Sequence, residues 1–476
     1  MGLVRSMGRA LGCWSYVQNT VCMFSKAGIA LRTVIIGAGS ANFSMHLVRE
    51  VAGSEALAGE VCLVDADRER LGEVEKLCVR LLGELDSPTR VLASTERRSF
   101  LEGADLVVCT ALAGGREAIL RGHEVARRHG YRFGGSFWVM HDESFWSSLR
   151  QLALFDEIAE DILELCPSAW LLQVANPVIV GMSRLGQAYP SLKAVGLCDG
   201  PSAFRKAVDG LGFKGDRVSV VAPGVNHFVW LTALTVDGVD RTDEFVSRAR
   251  SLRDELVPGV DHPDVGDAVS LRALYLTDLY GRFPVGDTHL PYGGGWPWWL
   301  YDEASLAAYG DPEAVWEDFE RWLQDERERV VAVARDPAAS VVDEFPVEPY
   351  RLEIGEAMEA LAGAREIEMP VNVMNRHGLV VGVPAEIAVE IPARLSRDSV
   401  APVGGHDLGG ALTAAILRDY AAPTLCLLDA YTERSRDRLV DLVAMDRNTR
   451  NRAQAAALVS EVLALPENRD LAEAYR

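Results

Sequence analysis

Over the first part of the chain, apolar residues gather in short β-branched runs separated by stretches with helical spacing. Thr33-Val34-Ile35-Ile36 is one such run, and from Ala41 to Val51 the apolar positions recur with a helical period. Glu60 to Val64 reads as a second strand closing on Asp65, and Asp105 to Thr110 as a third, bounded by Gly114-Gly115. An amphipathic helix covers about Ser144 to Leu165, followed by strands at Trp170–Val174 and at Lys193–Leu197, the latter ending at Cys198. Strands alternating with helices predict an α/β fold with a parallel, doubly wound sheet. Beyond residue 201 the rhythm changes. Arg217–Ala222 and Phe228–Leu234 read as neighbouring strands open to antiparallel pairing, Pro312–Asp336 as a long charged helix, and the tail from Gly410 as mostly helical. Three parts are expected: an extension over 1–30, a first domain over 31–200, and an α+β domain over 201–476 packed on it with a cleft between.

Composition narrows the partners. A net charge of -21 repels polyanions and excludes nucleic acid as the expected partner. No run reaches the roughly 18 uninterrupted apolar residues of a membrane span, so no membrane partner is expected. The first 30 residues carry Arg5 and Arg9 ahead of a semi-apolar stretch that Ser15, Gln18, Asn19 and Thr20 interrupt, which reads as a disordered extension or an over-long start rather than a signal peptide. The 8 cysteines form no CxxC pair, and Cys62 and Cys109 lie in strand-like runs, where thiols behave as small buried hydrophobes. The expected compartment is the cytoplasm.

Candidate chemistry begins at Gly37-Ala38-Gly39-Ser40-Ala41-Asn42, which closes a strand and opens a helix. The first glycine permits a tight turn, the second lets a pyrophosphate approach the backbone, and the helix N-terminus offers N–H groups to that anion. Asn42 stands where the usual fingerprint has a third glycine. Asp65 ends the next strand, where a carboxylate accepts ribose hydroxyls and repels a 2′-phosphate, so a Rossmann-like domain binding NAD rather than NADP is expected. Asn176-Pro177 and Cys198-Asp199 each follow a strand, at the carboxyl edge where ligands bind. Val225-Asn226-His227 precedes another strand. A thiolate and an imidazole on separate elements can hold a divalent ion with positions open for substrate oxygens. Singly, each of these residues has a plainer reading as a turn, a buried thiol, a strand-end acid or a satisfied histidine.

Taken in order, the motifs resemble glycoside hydrolase family 4, the NAD- and manganese-dependent glycosidases. The matching pieces are IGAGSANFS at Ile36–Ser44, ADLVVCTALAGG at Ala104–Gly115, QVANPV at Gln173–Val178, GLCDG at Gly196–Gly200, PGVNHFVWL at Pro223–Leu231, LYGRFPVGDT at Leu279–Thr288 and GVPAEIAVEIPA at Gly382–Ala393. The resemblance runs from about residue 31 to the C-terminus and is nearest to the α-glucosidase, α-galactosidase and α-glucuronidase branch. It implies a lactate/malate dehydrogenase-like architecture and a homodimer or homotetramer acting on a small-molecule glycoside. NAD would take hydride from C3 of the sugar, a base would remove the acidified C2 proton, the C1 group would leave, water would add, and the hydride would return; the family stands outside the two-carboxylate scheme. Mn2+ or another divalent ion would polarise the C2 and C3 oxygens.

By the same resemblance Cys198 and His227 are the metal ligands. Asn176, Asp142 and Asn226 contact the sugar, and Gly37, Gly39, Ser40, Asn42, Asp65 and Asn176 form the cofactor site. Tyr275 is the positional match for the base, with Tyr280 second. Asp199 is the acid, a departure from the nearest branch, which has histidine there. His141 is a further candidate beside Asp142, and Gly293–Trp299 an aromatic loop with either a pyranose or a subunit interface to meet. Two alternatives stay open at this point: an NAD-dependent 2-hydroxy acid dehydrogenase, in which Cys198 has no role, and a non-catalytic NAD-binding protein.

Overall fold

The computed structural model describes residues 31–141, 143–289, 297–346 and 354–476. Expectations for residues 1–30, for Asp142, for the side chain of Asn42 and for most of the loop 293–299 lie outside the described residues. Leu31–Arg476 forms one compact unit.

Six parallel strands make the first part: β1 (Leu31–Ile36), β2 (Gly59–Val64), β3 (Arg90–Ser94), β4 (Leu106–Cys109), β5 (Trp170–Gln173) and β6 (Ala194–Gly196). They lie in the order β3-β2-β1-β4-β5-β6, the doubly wound arrangement. Successive side chains point to opposite faces, and both faces are covered. Ile35, Leu63, Val108 and Leu172 pack with the helices Ala41–Ala52, Arg68–Glu84 and Ile354–Ala362. Val34, Cys62, Val107 and Leu171 pack with Phe145–Leu165 and Val178–Ala188 on the other side. This double burial is why the strands read as unbroken apolar runs. β3 has no such run: RVLAS is half-exposed at the sheet edge, and its pattern does not announce a strand.

The sheet does not stop at β6. It continues through β13 (Ile367–Met374) and β14 (Ala388–Ser396), then β8 (Gly224–Val225), β9 (Phe228–Trp230) and β12 (Pro284–Val285), with β15 (Ser399–Pro402) pairing β14. All of these pairings are antiparallel. The sheet thus runs across residue 200 without a break. The run Phe228–Leu234, expected as one strand, divides. β9 joins the large sheet, while β10 (Ala233–Val236) pairs with β7 (Val218–Val221) and β11 (Val239–Asp240) in a small antiparallel sheet. Two cores pull it apart, because Phe228 and Trp230 pack in one cluster and Leu234 in another.

The helix Pro312–Arg335 forms as its pattern predicts, capped by Asp311 accepting from the Glu313 N–H. Gly410–Glu433 has the length and mean hydropathy of a membrane span, but its apolar residues Leu412, Ile416, Leu427 and Ala430 are buried against the C-terminal helices. It is apolar because it is internal.

Those helices hold one strained group. Asp446 is 4% exposed, accepts from the Asn448 N–H at 2.6 Å, and leaves Oδ2 without a donor. Burial pushes its carboxyl up to about 6. A carboxyl raised from about 3.9 in the unfolded chain contributes stability fully present below that value. The contribution drains away as pH rises through the folded value. Asp446→Asn, which keeps the acceptor, is therefore expected to raise Tm by about 2 °C at pH 7.5 and by much less at pH 5. A Tm gain that is equal at both pH values, or a loss at pH 7.5, would contradict this reading.

Candidate active site

Gly37 follows β1 and takes φ +93°, and a Cβ there would sit 2.4 Å from the Ala111 backbone, so only glycine lets the turn pass the loop after β4. The Gly37 and Ala38 N–H groups both donate to Val64 O, tying the turn to β2. Gly39 differs from the expectation. The space its side chain would fill is taken by the Asp65 carboxylate, whose Cγ would lie 2.8 Å from a Cβ, and the Gly39 N–H donates to Asp65 Oδ2 at 2.8 Å. Asp65 Oδ1 accepts from the Asp67 N–H, so the acid is fixed at the strand end. Ser40 stands at the N-cap of Ala41–Ala52 without a side-chain cap bond. Gly37, Gly39, Ser40 and Asp65 all line one cleft of about 1970 Å³.

The same cleft reaches Asn176, Cys198, Asp199 and His227. Asn176 precedes a cis-proline after β5, Cys198 follows β6, and Asp199 is the N-cap of Gly200–Gly210. His227 arrives by another route. β8 and β9 pair with Gly224 opposite Val229 and Val225 opposite Phe228, leaving Asn226-His227 as a two-residue turn. His227 takes φ +63°, the left-handed position that glycine or asparagine normally fills. A strained histidine held this way is a mark of a functional position.

Cys198 and His227 are in hydrogen-bonding contact. Around them stand three carboxylates, two of them inside the matching motifs, whose significance the pattern does not reveal. Glu143 Oε1 lies 3.2 Å from His227 Nδ1, and Asp287 Oδ2 lies 3.4 Å from Nε2. Glu390 of β14 is 1% exposed and accepts from Asn226 Nδ2 at 3.2 Å and Asn372 Nδ2 at 3.0 Å. Burial and Glu390 push the Cys198 thiol up to about 11 against the pull of His227. Burial opposes protonation of His227, yet its contacts with Cys198 and Glu143 and the charge of Asp287 hold its pKa well above the ordinary value. Glu390 is raised, by burial first. Asn226 Oδ1 and Glu390 Oε1 are buried without donors. The charged side chains at the two nitrogens of the His227 ring are both carboxylates. Among the described residues no group of three or more His, Cys, Asp or Glu stands in metal-holding geometry.

Not every expected residue meets the cleft. Asn226 is buried with its amide turned to Glu390 and does not line it. Tyr275 packs near Tyr309 and Tyr280 against Trp230, and neither lines the cleft. The tyrosine beside His227 is Tyr420, whose hydroxyl lies 3.5 Å from the His227 carbonyl. It sits in a helical tail far along the chain, where no motif marks it. His141 lines the cleft, its ring 6.4 Å from that of His227. A lone charged residue in the apolar run Ala388–Ile391 was the readable sign of Glu390.

A model of the family 4 glycosyl hydrolases matches residues 32–212, and a model of that family's C-terminal domain matches 222–449. An alpha-galactosidase of Bacillus subtilis is 25% identical over 436 residues, 88% of this chain and 93% of its own. An alpha-galacturonidase of Thermoanaerobacter italicus is 24% identical over 398 residues, 78% and 82% of the two chains. Among solved structures, a 6-phospho-alpha-glucosidase from gut microorganisms, in complex with NAD and Mn2+, superposes with a TM-score of 0.76 at 18% identity, covering 93% of this chain and 98% of the other. A Thermotoga maritima 6-phospho-beta glucosidase with manganese, NAD+ and glucose-6-phosphate gives 0.72 at 18% identity, covering 92% and 99%.

The placement of His227 depends on the hairpin that carries it. A Cβ on Gly224 would lie 2.1 Å from Phe228 O, too close for β8 and β9 to pair. Gly224→Ala should destabilise the chain by about 1–3 kcal/mol, read as a lower urea midpoint with an unchanged slope. A midpoint equal to that of the parent would show that the turn is not held as described.

Proposed function

The chain belongs to family 4 of the glycosyl hydrolases, and from that premise we propose that it hydrolyses an α-linked, unphosphorylated glycoside through transient oxidation at C3, with NAD and Mn2+ or another divalent ion bound. The observation that carries this reading is the Cys198–His227 contact at one end of a cleft whose other end is the Gly37–Asp65 turn. The alpha-galactosidase and alpha-galacturonidase relatives support the α-linkage and the free sugar. A hydroxy acid dehydrogenase would leave the thiol unused and would not share the family, and a non-catalytic binder would not need the buried acceptors around His227.

The residues present fit both cofactors. Asp65 and the uncapped start of Ala41–Ala52 line the cleft, as a ribose and a pyrophosphate require. At the other end the donor set is a thiol and an imidazole beside acceptor oxygens that lack protons to bind. When bound, the dinucleotide supplies a hydride acceptor for C3 and the ion a Lewis acid for the C2 and C3 oxygens. Cys198 and His227 would hold the ion, for which Cys198 must give up the proton that burial keeps on it. Glu143 would orient His227 through Nδ1, as a carboxylate behind a metal-bound imidazole does. Asn176 would hold sugar hydroxyls, and Asp199 would protonate the departing oxygen. Tyr275 and Tyr280 would have to move into the cleft to take the C2 proton, whereas Asp287 already lines it. The six cysteines free among the described residues support the cytoplasm as the compartment.

Aryl α- and β-glycosides, uronides and 6-phosphoglycosides, assayed with NAD, manganese and a thiol reductant, test the reading. Cleavage of an unphosphorylated α-glycoside without net NADH is expected, and steady NADH formation from a hydroxy acid would overturn it. Cys198→Ser should lower kcat at least 100-fold while NAD affinity stays within about two-fold, since outer-shell changes alone cost 10–100-fold. Retained turnover in that variant would remove Cys198 from the metal site.

A further inference from the structure

The cleft has a second wall that no cofactor motif announces. Besides Gly37, Gly39, Asp65 and Asp67 it is lined by the helix Pro312–Arg335, including Trp316, Phe319, Trp322 and Arg327. One end of that helix is anchored near the chemistry. Trp316 is 3% exposed, its ring 5.3 Å from His141 and 5.1 Å from Phe133, with the Arg116 guanidinium 4.8 Å above it. Arg116 also pairs with Glu320 of the same helix. The far end is anchored in the core: Val330 and Val333 are buried, and Arg80 Nη1 donates to Val333 O at 2.8 Å. Between these anchors the helix passes Asp67, which feels the charge of Arg327. From Trp316 to Arg327 a helix rises roughly 16 Å, so this single element runs from the Cys198–His227 end to the ribose end.

Its middle is built unlike a solvent face. Phe319 and Trp322 are 38% and 43% exposed, lie nearly parallel with ring centroids 5.8 Å apart, and face the cleft. Across the cleft Leu112, after β4, is 43% exposed. Large apolar groups left open inside a concave groove mark a place for a flat ring. We infer that the helix Pro312–Arg335 is the outer wall of the dinucleotide site, and that its Phe319–Trp322 stack receives a ring of the cofactor and retains the cofactor through the whole catalytic cycle. The inference rests on the proposed NAD-dependent reaction. A reaction that returns its hydride to the same sugar gains nothing from exchanging the cofactor and fails if the reduced form escapes mid-cycle, so a wall that slows escape suits it.

The test uses full-length Phe319→Leu/Trp322→Leu, which keeps helix propensity and apolar character and removes both aromatic faces. NAD affinity is read by titration calorimetry, NAD release by stopped-flow, and the thermal midpoint is taken without cofactor. The expected result is a Kd raised about ten-fold, in line with the loss of ring stacking, with faster release and an unchanged midpoint. A Kd within two-fold of the parent at the same midpoint overturns the inference. So does a raised KM for the glycoside with unchanged NAD affinity, which would give the stack to the leaving group. If the parent itself binds no NAD, the proposed function falls and this wall with it. If the double variant unfolds, the single Trp322→Leu change is read by the same criteria.

Discussion

A half-buried thiol and a buried imidazole touch each other beside three carboxylates, and the rest of the site follows from that. Glu143 and Asp287 flank the His227 ring, Glu390 stands behind Cys198, and acceptor oxygens of Asn226 and Glu390 have no donors. Each unpartnered buried polar group costs about 1–3 kcal/mol, and the left-handed backbone at His227 adds strain. Such an arrangement favours a proton on His227, the direction in which its contacts with Cys198 and Glu143 raise its pKa, or a cation in the proton's place. The polarity of this pocket is its chemistry.

The pair meets only because the sheet is continuous. Cys198 comes at the end of β6 and His227 from the turn between β8 and β9, and the hairpin β13–β14 is inserted between them. Asn372 of β13 pairs with Gly196, and Glu390 of β14 pairs with Gly224. On the same two strands, Asn372 Nδ2 donates to Glu390 Oε2. A hairpin far along the chain therefore sets the spacing between the cysteine that follows the parallel sheet and the histidine of the antiparallel extension. The far end of the cleft is fixed differently, by Asp65 gripping the Gly39 turn.

How much of this was legible in the chain depended on what each residue answers to. β1, β2, β4, β5 and β6 were readable because double burial forces unbroken apolar runs, and Asp65, Cys198 and His227 because each closes or opens such a run. β3 was not, since a half-exposed edge strand needs no apolar signature. Neither was the β13–β14 hairpin, whose place in the sheet is fixed by Gly196 and Gly224, far earlier in the chain. Local spacing carries no record of such partners. Asp287 and Glu390 lie inside the matching motifs and Glu143 beside His141, yet a carboxylate's importance comes from what surrounds it in space. Tyr275 and Tyr280 were chosen by position along the chain, and the fold packs them away from the cleft while bringing Tyr420 up to the His227 carbonyl.

The central claim is that bond cleavage passes through loss of a proton from carbon beside the anomeric centre, made acidic by transient oxidation. Hydrolysing a cleaved glycoside in D2O and reading the sugar product by proton NMR addresses it directly. The account predicts deuterium at C2 of the product in every turnover. A product that keeps its C2 proton throughout complete hydrolysis would contradict it.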